Sequence, residues 1–204
     1  DLDKISQEFG AKVHHYDVLQ LDSFRQAEAI LPARGNLHSV IYARMLLDHF
    51  VPETIKRIIY LDCDTMVATP IEDLFDLDLN GHALAAVLDT QSMKAKMGYD
   101  IKGKADIFAP SDDYFNSGLL VIDLDKYRQA DILVRMRGFE TSGILNKLYY
   151  DQDMLNLIFK GDWHKLHWRY NVIDPRQPHE ALQPKILHFT GGRKPWNLFS
   201  NVAF

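Results

Sequence analysis

"IIYLDCDTMV", residues 58–67, is the stretch on which the fold reading turns. It opens as an apolar run of β-branched and aromatic residues, the pattern of a buried strand, and ends in two carboxylates, Asp62 and Asp64, on either side of Cys63. On a continuing strand, residues two apart share a face, so both aspartates are predicted on one side and Cys63 in the packing on the other. Isolated carboxylates repel and are costly to desolvate, so a cation is expected beside them. The pair is half a site for a hard divalent ion and lacks a third ligand and an open side for substrate oxygens. For an arbitrary D-x-D the ordinary alternative, acids solvated in a turn, is favoured by several to one.

Outward from that stretch, strand and helix patterns alternate. "KVHHYDV" (12–18) is predicted as a short strand, and "NLHSVIYARMLLDHFVP" (36–52) as a helix with Val40, Ala43, Leu47 and Phe50 at helical spacing and Pro52 as its stop. After Pro70, "IEDLFDLDL" reads as a short helix whose early acids suit its positive end. "HALAAVLD" (82–89) reads as a buried strand ending in Asp89. Residues 90–113 lose periodicity and carry lysines, glycines and a proline, the composition of an exposed insertion or a lid. "YFNSGLLVIDL" then resumes as a strand with Asn116, Ser117 and Gly118 near its start. Helices follow in "DKYRQADILVRMRGFE" and "DQDMLNLIF", and strands in "WHKLHWRYNVI" and "KILHFTG". Near-continuous apolar strands alternating with helices predict a single α/β domain with a mostly parallel central sheet flanked by helices. In such sheets ligands gather beyond the carboxyl ends of strands, where Asp62, Asp64 and Asp89 fall.

Composition bounds the function classes. With 204 residues, 47% hydrophobic and 25% charged, the chain has the make-up of a soluble globular domain. A net charge of −5 gives no global basic field, which argues against general nucleic-acid binding and requires local cations for any anionic substrate. One cysteine excludes an internal disulfide framework and a cysteine-based zinc site, and points to a reducing, cytoplasmic compartment. No apolar run reaches bilayer length, and "DLDKISQEFG" has neither a basic leader nor a signal core. The first residue is not Met, so a truncated start is expected.

The segments "YFNSGLLVIDLDKYR", "YYDQDMLN" and "ILHFTGGRKPW", with "SVIYARMLL" and "IIYLDCDTMVATPIEDLF", resemble glycosyltransferase family 8. That family comprises retaining enzymes that include bacterial lipopolysaccharide galactosyl- and glucosyltransferases and, more distantly, glycogenin. The matching segments run in the family's order from about residue 36 to 197. The resemblance implies a Rossmann-like nucleotide-diphospho-sugar transferase fold of type A and a metal-dependent hexosyltransferase. It would move glucose or galactose from UDP-glucose or UDP-galactose to a saccharide or glycolipid acceptor, as in lipopolysaccharide biosynthesis. It also implies site roles, each of which has a structural alternative. Asp62, Asp64 and His188 would hold the ion, Mn²⁺ in the family with Mg²⁺ as the substitute; two carboxylates and an imidazole are a sensible mixed set for it. Gly191 and Lys194 of "GGRKPW" would close on the donor diphosphate, and Arg44 would lie near the nucleotide and sugar. Asp89, Asn116, Asp151, Gln152 and Asp153 would surround the donor sugar, with acids at 151–153 serving equally as a helix cap. Trp163, Trp168 and Trp196 could stack on sugars, but packing is the commoner use of a tryptophan.

Retention requires either a covalent intermediate or attack from the face that the leaving group departs, and Gln152, which the resemblance places under the anomeric carbon, is a poor nucleophile. Same-face attack is therefore expected, with Asp151 or Asp153 supporting the cationic sugar. Family members usually begin with a strand that holds the nucleotide base; this chain lacks such a segment and stops soon after "KPWN", so membrane contact through a tail stays open. Two alternatives stand beside this reading. Asp62 could be the nucleophile of a haloacid-dehalogenase-type phosphatase, although Met66 holds the place of the Thr or Val expected there and Asp162 lacks its acidic companion. The chain could also bind nucleotide sugars without turnover.

Overall fold

In the computed structural model, residues 2–31, 39–89, 107–109, 111–148, 150–190 and 194–197 are described. Strands β1 (Arg57–Leu61), β3 (Leu84–Leu88), β4 (Phe115–Asp123) and β5 (His164–Lys165) form a sheet in the order β1-β4-β3-β5. A second sheet has the order β2-β7-β6, built from Thr65–Val67, Ile186–His188 and Val172–Ile173. The helices are α1 (Leu2–Phe9), α2 (Asp22–Ile30), α3 (Leu47–Phe50), α4 (Leu124–Gln129), α5 (Ile132–Thr141) and α6 (Tyr150–Ile158).

The α/β class stands, but the expectation of a mostly parallel sheet does not. β4 runs antiparallel to both β1 and β3, with Leu61 opposite Leu119 and Leu88 opposite Phe115; only β3 and β5 pair in parallel in this sheet. β2 and β7 are antiparallel, whereas β6 and β7 are parallel. A continuous apolar run reports burial on both faces, and strand direction does not enter into it. β4, inserted between two strands that run the other way, is buried from Phe115 to Ile122 because elements cover it on both sides. One face joins the large core of Phe24, Met45, Leu46, Phe115, Leu120, Ile122 and Tyr127. The other joins a smaller cluster with Leu74, Leu119, Val121 and Ile186.

Several local readings are corrected. Residues 12–17 form no strand, because only Val13 is even half-buried and no described strand pairs with them; Asp17 instead caps a 3₁₀ turn over Val18–Gln20. The predicted helix at 36–52 is a 3₁₀ helix, Ser39–Leu46, continued by α3, and its first residues, 36–38, lie outside the described set. Winding at three residues per turn buries Tyr42 and Met45 in place of Val40, which is exposed. "IEDLFDLDL" holds one 3₁₀ turn, Glu72–Leu74. Of the excursion at 90–113, residues 90–106 and 110 lie outside the described set. No described helix is long and apolar enough to cross a membrane.

Candidate functional site

β1 stops at Leu61, and the next residues turn. Thr65 closes the turn by donating its backbone N–H to the Asp62 carbonyl at 3.2 Å and its hydroxyl to the same oxygen at 2.8 Å. The strand geometry expected for Asp62 and Asp64 is therefore replaced by a tight turn, and Cys63, expected in the packing, is exposed at its tip. The turn converges the two carboxylates all the same. It is pinned from both sides: the Asp62 N–H donates to the Gly118 carbonyl at 2.9 Å, and the Phe189 N–H donates to the Asp64 carbonyl at 3.0 Å. β2 then pairs Thr65 with His188, which carries an imidazole from far along the chain to the aspartates.

His188 is buried, with Nε2 3.1 Å from Asp64 Oδ1 and 3.7 Å from Asp62 Oδ2. One ligand atom from each of the three residues falls within 4.8 Å of the others. Burial holds the imidazole below its ordinary pKa although Asp64 and Asp62 pull it upward, so the ring favours the neutral, ligating form. Gly118 makes room for that ring. A Cβ at this position would lie 2.0 Å from His188 Cε1 and 2.9 Å from Asp62 Oδ2. Two carboxylates and an imidazole, facing one another over a backbone with no side chain in between, fit a divalent cation.

Two side-chain cations border the group. Arg44 Nη2 lies 2.7 Å from Asp62 Oδ1 and Nε 3.0 Å from Asp151 Oδ2, while Nη1 donates to the Ser117 carbonyl at 3.0 Å. Burial works against the Arg44 charge, but Asp151 and Asp62 outweigh it and raise its pKa. Burial pushes the Asp151 carboxyl above its usual range despite Arg44. Tyr60 lies under the guanidinium, 4.8 Å from ring centroid to Cζ, and donates its hydroxyl to Asp62 Oδ1 at 2.8 Å. Lys194 Nζ is 2.6 Å from Asp64 Oδ2. Its expected target was a diphosphate, so the described contact is with a candidate metal ligand instead.

Beyond Arg44, α6 fans three side chains apart at 100° per residue, so they cannot serve one point. Asp151 meets Arg44 and the Ser117 hydroxyl. Gln152 Oε1 accepts from the Ser117 N–H at 3.0 Å and from Asn116 Nδ2 at 3.2 Å, and Nε2 donates to Asp89 Oδ2 at 2.9 Å. Asp153 Oδ1 accepts the Tyr114 hydroxyl at 2.6 Å. Asn156 locks the helix to β4 by bonding both the N–H and the carbonyl of Phe115, at 2.7 and 2.8 Å. Asp89, Asn116, Asp151 and Gln152 are thus joined, with Ser117, in one polar network near the Asp62–Asp64–His188 group.

Of the expected site residues, Gly191 lies outside the described set. Trp163 is core, edge-on to Phe115, and Trp168 and Trp196 are exposed. Asp162 pairs with His82 before β5, at the sheet edge opposite Asp62, which leaves the phosphatase arrangement without its second acid. The sequence reading missed Tyr60, Tyr114, Asn156 and Asn171. Tyr60, in the unbroken run Ile58-Ile59-Tyr60-Leu61, has no signal beyond its phenol two residues before Asp62, whereas the "NSG" triplet at a strand start marks Gly118.

Residues 1–199 match the family model "Glycosyl transferase family 8". The chain belongs to glycosyl transferase family 8. Among curated proteins of known sequence, this family 8 domain is 31% identical to general stress protein A of Bacillus subtilis, over 96% of the chain and 71% of that protein. It is 28% identical to the lipopolysaccharide 1,2-glucosyltransferase of Escherichia coli, over 82% of the chain and 52% of that enzyme. The galactosyltransferase LgtC, whose crystal structure holds donor and acceptor sugar analogs, superposes with a TM-score of 0.65 at 25% identity, over 86% of the chain and 67% of LgtC. The mixed α/β fold is therefore the GT-A fold of these glycosyltransferases. In other relatives the chain spans from about a quarter to about a half of the length, 24%, 41% and 48% in three of them.

Proposed function

We propose that this domain catalyses retaining transfer of a hexose, glucose or galactose, from a UDP-sugar to a saccharide or glycolipid acceptor, with Mn²⁺ bound by Asp62, Asp64 and His188, or Mg²⁺ in its place. The observation that carries the proposal is that Arg44 links that triad to a polar network of Asp89, Asn116, Asp151 and Gln152. When bound, the ion would supply electrostatic stabilisation to the departing diphosphate. Lys194, with Gly191 beside it in sequence, is proposed to leave Asp64 for a phosphate oxygen, a partner that suits an ammonium point charge. The network would line the sugar site, with Asp89, Asn116 and Gln152 supplying carboxylate and amide groups to the sugar hydroxyls.

Gln152 supports same-face attack. Its oxygen already accepts from Asn116 Nδ2 and from the N–H and hydroxyl of Ser117, and its nitrogen donates to Asp89, which makes it a scaffold in place of a nucleophile. Asp151 and Asp153 flank it in sequence as buried carboxylates; one of them, Asp151 or Asp153, would support positive charge on the sugar ring, and the acceptor's proton would pass to the leaving phosphate. Residues 1–204 would act as one catalytic domain in the cytoplasm, with the acceptor met in solution or at the inner membrane surface.

Free UDP, measured after incubation with UDP-glucose or UDP-galactose and Mn²⁺, tests the proposal. Release that depends on the metal and is lost in Asp64→Ala is expected. Donor binding without release would leave a nucleotide-sugar-binding protein, and no affinity for UDP in the presence of Mn²⁺ would contradict the assignment.

A further inference from the structure

A buried chain of amides runs from the proposed sugar site to the third metal ligand, and every direction in it is fixed by one backbone group. The Gly118 N–H can only donate, and it donates to Asn116 Oδ1 at 3.0 Å. That oxygen also lies 2.8 Å from the Asn171 amide, which must therefore present its nitrogen, Nδ2. Asn171 is left with its oxygen towards His188: Oδ1 lies 2.9 Å from Nδ1, and because an amide oxygen only accepts, Nδ1 must carry a proton. In a neutral ring Nε2 then has the free lone pair, and it points at Asp64 Oδ1 and Asp62 Oδ2. Three acceptors facing one another at that distance are an arrangement that a cation resolves. Asn116, Asn171 and His188 are all buried, so water does not compete for these bonds. Asn171 is itself held by the backbone, as it ends a 3₁₀ turn (Trp168–Tyr170) with its N–H on the Trp168 carbonyl, and β6 begins at the next residue.

We propose that Asn171 is a positioning residue of the metal centre: it fixes His188 in the Nδ1–H form so that Nε2 faces the aspartate pair, and through Asn116 it ties that orientation to the sugar site. The inference rests on the triad being the metal site. The same contacts set Asn116, whose Nδ2 is turned to Gln152 Oε1 and Asp89 Oδ2 because its oxygen is held by Gly118 and Asn171. Partners that orient a ligating histidine through its second nitrogen commonly change metal affinity about 10–100-fold when removed.

Two measurements test this. In ¹⁵N-labelled wild-type protein, with the His188 signals assigned by their loss in His188→Gln, Nδ1 should carry a proton; an unprotonated Nδ1 overturns the inference whatever the variants do. Mn²⁺ titrations followed by electron paramagnetic resonance then compare wild type, Asn171→Leu and Asn171→Asp, with thermal melts showing that each is folded. Asn171→Leu should weaken Mn²⁺ binding about 10–100-fold, and Asn171→Asp, which keeps an acceptor for Nδ1–H but loses the donor to Asn116, should stay within about threefold of wild type while its kcat/KM for the donor falls. Equal losses in both variants, or none in Asn171→Leu, would overturn the positioning role alone. A folded wild-type chain that binds no Mn²⁺ would overturn the metal assignment and this inference with it.

Discussion

The two sheets of this domain divide the work unequally. The four-stranded sheet contributes its nine-residue β4 to two hydrophobic clusters, and its β1 and β3 lead into Asp62 and Asp89 of the candidate site. The three-stranded sheet has strands of two or three residues and a small cluster of Val172, Leu187 and Phe189, yet it delivers His188 and pins Asp64. Bulk and burial sit in one sheet, and the candidate metal group is complete only with the histidine that the other supplies.

Changes to the junction and to the large sheet should therefore fail in different ways. Asp64→Ala, at the junction, should lower sugar transfer by on the order of a thousandfold or more while the fold melts near its wild-type temperature, read by UDP release and calorimetry. Comparable turnover in the variant would break the division. In the large sheet, Phe115→Ala removes a fully buried ring and should cost about 3–5 kcal/mol in denaturant unfolding. A cost below about 1 kcal/mol would mean that the stability does not lie there. Gly118→Ala touches both, since the new methyl would displace the His188 ring; a roughly hundredfold loss of Mn²⁺ affinity is expected with a destabilisation of only about 1–3 kcal/mol. Lys194→Ala should have the smallest effect, about tenfold in UDP affinity by isothermal titration, as one charged contact among several.

The same division explains what was legible in the sequence. β3, β4 and α6 were readable because long apolar runs and a clear helical face encode them locally, whereas the roles of Asp89, Asn116, Asp151, Gln152 and Asp153 came only from the family resemblance. Strand direction was not readable, because burial on two faces looks alike for parallel and antiparallel neighbours. The small sheet was harder still. Strands of two residues leave no periodicity, so Val172 and Ile173 are set by pairing with Leu187 and His188 and not by local preference. The aspartate turn defeated a strand reading for a related reason, since Asp62 and Asp64 are shaped by the Gly118 and Phe189 contacts from distant segments. His188 was found only through its motif. Asn171 offered no signal, because its role is defined by a hydrogen bond to a histidine seventeen residues on.

The claim on which all of this depends is that two aspartates from one turn and a histidine from the other sheet share a single cation. A Mn²⁺ titration of the folded chain by electron paramagnetic resonance, run beside His188→Ala, tests it most directly. One saturable site is predicted in the wild type, weakened at least about a hundredfold in the variant. Undiminished binding in His188→Ala, with both proteins folded, would contradict it.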